Sequence, residues 1–453
     1  MMRESMKPEH TTVNEQHQLL RQHLEDQFFS QFSHGEALRP FVKQAEEKIK
    51  EKIKEMELIV DYNQGKVLRA FQAHGVNEFH FAPSTGYGYD DMGRSTLEAI
   101  YAQVFQTEAA LVRNQIISGT HAIATALFGL LRPGDELIYI TGTPYDTLEE
   151  VVGVRGEGQG SMRDYGIDYQ AIPLREDGWI DEEAIEKAIT AKTKVIGIQR
   201  SRGYADRPSY TVEQIGEMVR FVKGIRSDLI VFVDNCYGEF TQLQEPTEVG
   251  VDIMAGSLIK NPGGGIARSG GYIVGKEHLV QLASYRLAAP GIGAEGGATI
   301  TSPLPMFQGF FMAPHVVGEA VKGAIFTAAL VEELGFKTNP LWNETRTDLI
   351  QAVTFGSAER LIAFCQGIQQ ASPVDSHVTP EPSPMPGYAD QVIMAAGNFI
   401  QGSTIELSAD GPIRAPYLGF IQGGLTYSHV KVGICNALNR LLEKELLQLP
   451  ASN

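Results

Sequence analysis

Two stretches decide the fold: VFVDN at 231–235 and SLIKNPGGG at 257–265. The first is a short, continuously apolar run ending in a carboxylate, Asp234. Runs of this kind are strands buried on both faces, as in a parallel sheet covered by helices. In a doubly wound sheet the carboxyl ends of the strands face the ligand, which places Asp234 on that edge. One excursion and return of the chain separates it from Lys260. That lysine follows the apolar run IMAGSLI and precedes NPGGG, a setting unlike a solvated helix face. The glycines permit unusual dihedrals and a close approach of backbone to a ligand. A carboxylate at a strand end can keep a ring nitrogen protonated, and a neighbouring lysine can condense with an aldehyde. Taken singly, Asp234 also reads as a turn residue and Lys260 as a surface lysine. Their pairing carries the signal.

Outward from this pair the same grammar repeats. Strands are expected at Ala110–Ile117, Glu136–Ile140, Lys194–Ile198, Leu229–Val233 and Tyr272–Val274. Between two of them, Thr211–Ile225 carries Val212, Ile215, Met218, Val219 and Val222 at helical spacing. The alternation predicts an α/β fold, a mainly parallel sheet flanked by helices in a large domain, with a smaller C-terminal α/β domain. The expected division is a helical arm over 1–75, a large domain over 76–320 and a small domain over 321–453. A long apolar helix, Val316–Leu334, leads into the last region. There a helix is expected over Thr347–Ala371, strands over Val392–Ala395 and Ser403–Leu407, and a terminal helix around His429–Leu446. The proline-rich stretch 372–391 reads as surface.

Bulk properties narrow the function. The 453 residues are too many for one small core. A formal charge of −17 argues against nucleic acid or an anionic membrane as partner. Cys236, Cys365 and Cys435 are widely spaced, with no CxxC and no histidine cluster, so neither a disulfide framework nor a metal site is expected. No uninterrupted apolar run reaches ~18 residues and the N-terminus has no apolar leader core, so a cytoplasmic protein without a membrane span is expected.

Four further segments carry candidate chemistry. IISGTHAIATALFGLL, 116–131, is a strand, a small-residue turn and a helix start, which together form an anion cradle in which Thr120 could cap the helix. It lacks the lysine of a nucleotide-binding loop and is no dinucleotide fingerprint. ITGTPYDTLEE, 140–150, puts Tyr145 just past a strand end, where its ring could lie on a planar cofactor. GYGYDDMGR, 86–94, offers Tyr87, Tyr89 and Arg94 on a glycine-rich loop. ADGPIRAPYLGF, 409–420, holds Arg414, which could clamp a carboxylate. Each also has an ordinary reading as a cap, a packed loop or a surface arginine.

Taken in order, GYGYDD, SGTHAI, TGTPYDTLEE, IQRSRGY, VDNCYGEF, SLIKNPGGG and ELSADGPIRAPY resemble the fold-type I enzymes that use pyridoxal 5′-phosphate. More narrowly they resemble the cystathionine and methionine gamma-lyase group, in particular its members labelled aluminium-resistance proteins. The resemblance implies that Lys260 tethers the cofactor and moves protons, and that Asp234 pairs with the ring nitrogen. It implies that Gly119, Thr120 and Ser257 hold the phosphate and that Tyr145 stacks on the ring. Tyr89 would reach a neighbouring subunit's cofactor, with Tyr145 and Tyr89 both available for proton traffic, and Arg414 would receive the α-carboxylate of an amino-acid substrate. The implied reaction is elimination from a sulfur-containing amino acid by a homodimer or homotetramer, with Lys260 deprotonated by its neighbours to act as base.

Three departures concern the periphery. Asp91 stands where the group has a phosphate-binding arginine, leaving Arg94 as the substitute. Ile259 stands where the group has threonine, and IQRSRGY replaces an Asn-Pro turn, leaving Ser201 and Arg202 as candidates for the ring hydroxyl. Aminotransfer, decarboxylation, γ-replacement and a non-catalytic binding role on the same scaffold all remain open at this level.

Overall fold

The computed structural model describes residues 13–156, 159–385 and 388–450. Residues 1–12 of the expected arm and 386–387 of the proline-rich stretch lie outside the described residues. Helices α1 (Val13–Ser30), α2 (Gly35–Lys48) and α3 (Lys50–Ala73) precede α4 (Met92–Val104) and β1 (Ala109–Arg113). Next come α5 (Gly119–Leu130), β2 (Glu136–Tyr139), α6 (Asp146–Val152), β3 (Asp168–Ala171), α7 (Glu182–Ala188) and β4 (Thr193–Gln199). The chain continues through α8 (Val212–Ile225), β5 (Ile230–Asp234), β6 (Ile253–Ser257), β7 (Gly271–Gly275), α9 (Glu277–Leu287) and α10 (Leu304–Glu333). It ends with β8 (Lys337–Asn339), β9 (Gln351–Thr354), α11 (Ala358–Gln370), β10 (Val392–Ala395), β11 (Ser408–Pro412), β12 (Leu418–Gln422) and α12 (Tyr427–Glu443).

The large sheet has the order β1-β7-β6-β5-β4-β2-β3. Strands β3, β2, β4, β5 and β6 pair in parallel, while β7 is antiparallel to β6 and β1. The apolar runs of β5 and β6 are buried almost throughout, as a sheet covered on both faces requires. Helix α8 shows how sequence sets a boundary. Thr211 and Gln214 form a reciprocal cap at its start, and Val212, Ile215, Met218, Val219 and Val222 turn into the core. The second sheet, β10-β11-β12-β9-β8, is antiparallel throughout, and α11 and α12 pack on each other beside it.

The differences from expectation have local causes. Residues 347–371 are not one helix. They form β9, a turn at Gly356 with φ +75°, and α11 capped by the Ser357 hydroxyl, so a left-handed glycine and an N-cap split the run. Residues 403–407 are not a strand, because pairing begins at Ser408. Strand β3 was not expected; as a half-exposed edge strand, DYQA carries no apolar run. The first expected strand stops at Arg113, and the Ile117 end becomes the turn before α5. Helix α10 begins at Leu304 and passes through Pro314, whose missing N–H costs one internal bond that the surrounding buried face offsets. The expected boundary at 320–321 falls inside this helix. Helix α10 also takes over the role assigned to the glycines after Lys260. A Cβ on Gly264 or Gly309 would overlap the facing backbone, so this turn is close-packed on a helix and does not line the cavity described next.

Candidate active site

Three strand ends and one helix start converge. Gln199 and Asp234 are register partners at the carboxyl ends of β4 and β5, and Lys260 follows the end of β6. The start of α5 faces them across a cavity of about 250 Å³ lined by, among others, Ser118, Gly119, Thr120, Tyr145, Asp234, Ser257 and Lys260. The convergence is a property of parallel sheets, whose carboxyl edge gathers loops from every strand.

Asp234 is buried and accepts a bond from the Cys236 N–H at 3.1 Å. Burial raises its carboxyl pKa, with the Lys260 ammonium and the Cys236 N–H opposing. The Lys260 ammonium lies 3.9 Å from the centre of the Tyr237 ring. Burial alone would lower the pKa of that ammonium, but Cys236, Tyr237 and Asp234 outweigh burial and raise it. The neighbours thus favour the charged amine, the opposite direction to the one expected of the amine once freed from a cofactor. With an anion beside it and an aromatic face over it, Lys260 is held charged.

At α5 the cap is the Ser118 hydroxyl, which accepts from the His121 N–H at 3.0 Å. Thr120, expected as the cap, instead shares a 2.8 Å hydroxyl bond with Thr147 of α6. Gly119 is where the walls come closest. A Cβ there would lie 3.2 Å from Cys236 Sγ and 4.0 Å from Lys260 Nζ. Free backbone donors of a first helical turn, with its partial positive charge, make a site for a phosphate group. Tyr145 caps α6 without a side-chain bond to it, and its hydroxyl meets that of Tyr388 at 2.6 Å. An amine, a buried carboxylate, an anion cradle and an aromatic ring around one cavity fit pyridoxal phosphate.

Other expected residues are placed elsewhere. Tyr89 is exposed and stacked on Tyr87 at 5.3 Å, on a separate surface hollow shared with Arg113. Asp91 caps α4, accepting from the Arg94 N–H and from the hydroxyls of Ser84 and Thr299. The Arg94 guanidinium is spent on the carbonyls of Gly88, Glu295 and Gly297, so it holds the tyrosine loop and does not substitute for a phosphate-binding arginine. Arg414 is half-exposed, bonded to Asp390 at 2.9 Å, and does not line the cavity. Of the two ring-hydroxyl candidates, Ser201 lines the cavity and donates to Asp348 at 2.7 Å. Arg202 is turned to the Asn339 and Ala205 carbonyls.

Sequence reading missed Gln199, Cys236, Tyr237, Tyr204, Tyr388 and Asp410, which all line the cavity. Gln199 had a signal, the end of a buried strand. Tyr204, Tyr388 and Asp410 had none, since they meet only when the small sheet closes over the large one.

A model of the methionine gamma-lyase family matches residues 38–442. An uncharacterized Bacillus subtilis protein, YnbB, is 60% identical over 420 residues, covering 92% of this chain and all of its own. The crystal structure of a Clostridium novyi carbon–sulfur lyase involved in aluminum resistance is 46% identical, with TM-score 0.87, covering 95% of this chain and all of that one. Cystathionine gamma-lyase from Lactobacillus plantarum, at 16% identity and TM-score 0.53 over 80% of this chain and 92% of its own, shares the fold. The match spans both sheets and every wall of the cavity, and the chain belongs to the methionine gamma-lyase family.

Proposed function

We propose that this enzyme eliminates a thiol from a sulfur-containing amino acid, using pyridoxal phosphate held in the Lys260 cavity. The carrying observation is that Lys260 and Asp234 meet opposite the start of α5 in one cavity. When bound, the cofactor supplies an electron sink for negative charge at the substrate's α carbon. Asp234, buried and acceptor-only when ionised, keeps the ring nitrogen protonated. The N–H groups of Gly119 and Thr120 and the hydroxyl of Ser257 hold the phosphate. Lys260 would tether the cofactor; set free as the neutral amine when the substrate's amine takes its place, it would accept the α proton and, as the ammonium its neighbours favour, return protons to the products. The neighbours that hold its ammonium charged suit it to deliver a proton to a leaving thiolate. Tyr145, tied to Tyr388 of the small domain, packs the ring and closes the site against water. For a β-thioether the balance is one substrate and one water giving one thiol, one pyruvate and one ammonium ion.

The same reading makes the enzyme a homodimer or homotetramer. Tyr89 of one copy would complete the cavity of another, which its exposure and its stacking on the exposed Tyr87 support. Arg414 would receive the substrate carboxylate after leaving Asp390, a shift that an exposed ion pair worth about 0–1 kcal/mol permits.

The test is a screen of cofactor-loaded protein against cystathionine, cysteine, methionine and homocysteine, reading thiol and keto acid together. Equimolar release of both from at least one of them is expected. Amino transfer or carbon dioxide release without thiol would replace the elimination reading.

A further inference from the structure

The cavity has a second acid that the chemistry above does not use. Asp410 lies on β11, and strand alternation puts it on the face shared with Ser408 and with Met394 of β10, all of which line the cavity. It is 5% exposed. One carboxylate oxygen accepts from Gln422 Nε2 at 2.8 Å, and the other has no partner. Among the described residues no cation forms an ion pair with it. The Ser408 hydroxyl on the same face is unpartnered too. A buried, half-bonded acid without a cation costs several kcal/mol unless it is neutral or receives a partner from outside. Burial raises its pKa to about 7, opposed by the nearby Tyr204 hydroxyl and the bond from Gln422.

Its surroundings say what kind of partner. The rings of Tyr204 and Tyr388 lie 5.6 Å apart, and that of Tyr145 lies 5.8 Å from Tyr204 and 6.2 Å from Tyr388. Phe420 is Asp410's cross-strand partner and lies 5.1 Å from Tyr204. An acid among aromatic rings suits an ammonium group, which gains a charge-assisted hydrogen bond and the ring faces together. This ammonium cannot be the substrate's α-amino group, which must reach the cofactor at Lys260. It belongs to the far end of the substrate.

We propose that Asp410, walled by Tyr204 and Tyr388, is a specificity subsite for an ammonium group on the leaving portion of the substrate, so that the preferred substrates are thioether amino acids whose thiol part carries an amine. The inference rests on the elimination reading for the substrate's orientation. The probes are S-(2-aminoethyl)-L-cysteine and S-propyl-L-cysteine, nearly the same in shape and different in charge. With holoenzyme, kcat/KM should favour the aminoethyl compound by about tenfold or more, the scale of one charge-assisted bond. In Asp410→Asn the ratio should fall to about one, whatever the absolute rates, and Asp410→Glu should restore part of the preference. No preference in the wild type, or the same ratio in Asp410→Asn, overturns the subsite, as does a parallel loss with both probes, the mark of a merely structural residue. Calorimetric binding of the two probes to holoenzyme and to Asp410→Asn separates this from failure of the elimination reading. If neither probe releases thiol, that reading falls, while tighter aminoethyl binding lost in Asp410→Asn still supports the subsite and equal binding removes it.

Discussion

The floor and the roof of the cavity differ in how their polar groups are satisfied. On the floor, built by the edge of the large sheet, Asp234 has a backbone donor and stands beside the charged Lys260. On the roof, built by the small antiparallel sheet, Asp410 and Ser408 each keep an atom without a partner. The floor too keeps an open atom, Gln199 Oε1, but its buried charges are matched to each other. A roof with open valences is prepared for something that comes and goes. On the proposed reading, the parallel sheet carries the chemistry and the antiparallel one the selectivity.

The comparison breaks most visibly at Lys260. Lys260→Ala should lower kcat by at least about a thousandfold, since one residue serves as tether and as acid and base; a stopped thiol assay reads it. Asp234→Asn should retain the cofactor, seen by absorbance after gel filtration, yet lose about a hundredfold in kcat, because an amide cannot hold the ring nitrogen protonated. Gly119→Ala should weaken the cofactor's affinity by about tenfold in fluorescence titration, as its methyl would press on Cys236 Sγ and narrow the cradle. Tyr388→Phe removes the bond to Tyr145 that joins roof to floor. It should raise KM by a few-fold with little change in kcat, in line with about 1 kcal/mol for a neutral hydrogen bond.

The smallest effect on activity comes from the opposite edge of the large sheet. Asp252 bonds to Lys223 and Lys276 at 2.7 and 2.6 Å and accepts from the Val231 N–H. Burial raises its carboxyl pKa, but these bonds outweigh burial and hold it below the ordinary value. A depressed folded pKa contributes stability that is present above the unfolded value of about 3.9 and is lost as pH falls through the folded one. Asp252→Asn should leave turnover unchanged and cost about 2 kcal/mol in urea unfolding at pH 7, with the deficit closing in acid.

The floor was legible because its signals are local. VFVD and MAGS are apolar strands whose ends announce themselves, and Ser118-Gly119-Thr120 is a helix start readable from three residues, although the cap proved to be Ser118. The roof was not. The sequence 403–412 reads equally as a strand ending at Leu407 or starting at Ser408, and only pairing with β10 and β12 settles the register. A one-residue slip would turn Asp410 away from the cavity. Arg414 stood out because a lone arginine between turns is conspicuous, whereas Asp410, four residues earlier, gains its meaning from Tyr204 and Tyr388, far away in the chain. The break at Gly356-Ser357 was readable, being a left-handed glycine before an N-cap.

The central claim, that the cavity floor is a cofactor site organised around one lysine, is tested most directly by covalent mapping. Protein loaded with pyridoxal phosphate, reduced with borohydride and digested should carry the cofactor's mass on the peptide that contains Lys260 and on no other. The yellow absorption should vanish in the same step and be absent from Lys260→Ala. Loaded protein without that absorption, or cofactor mass found on a different lysine, would contradict the account.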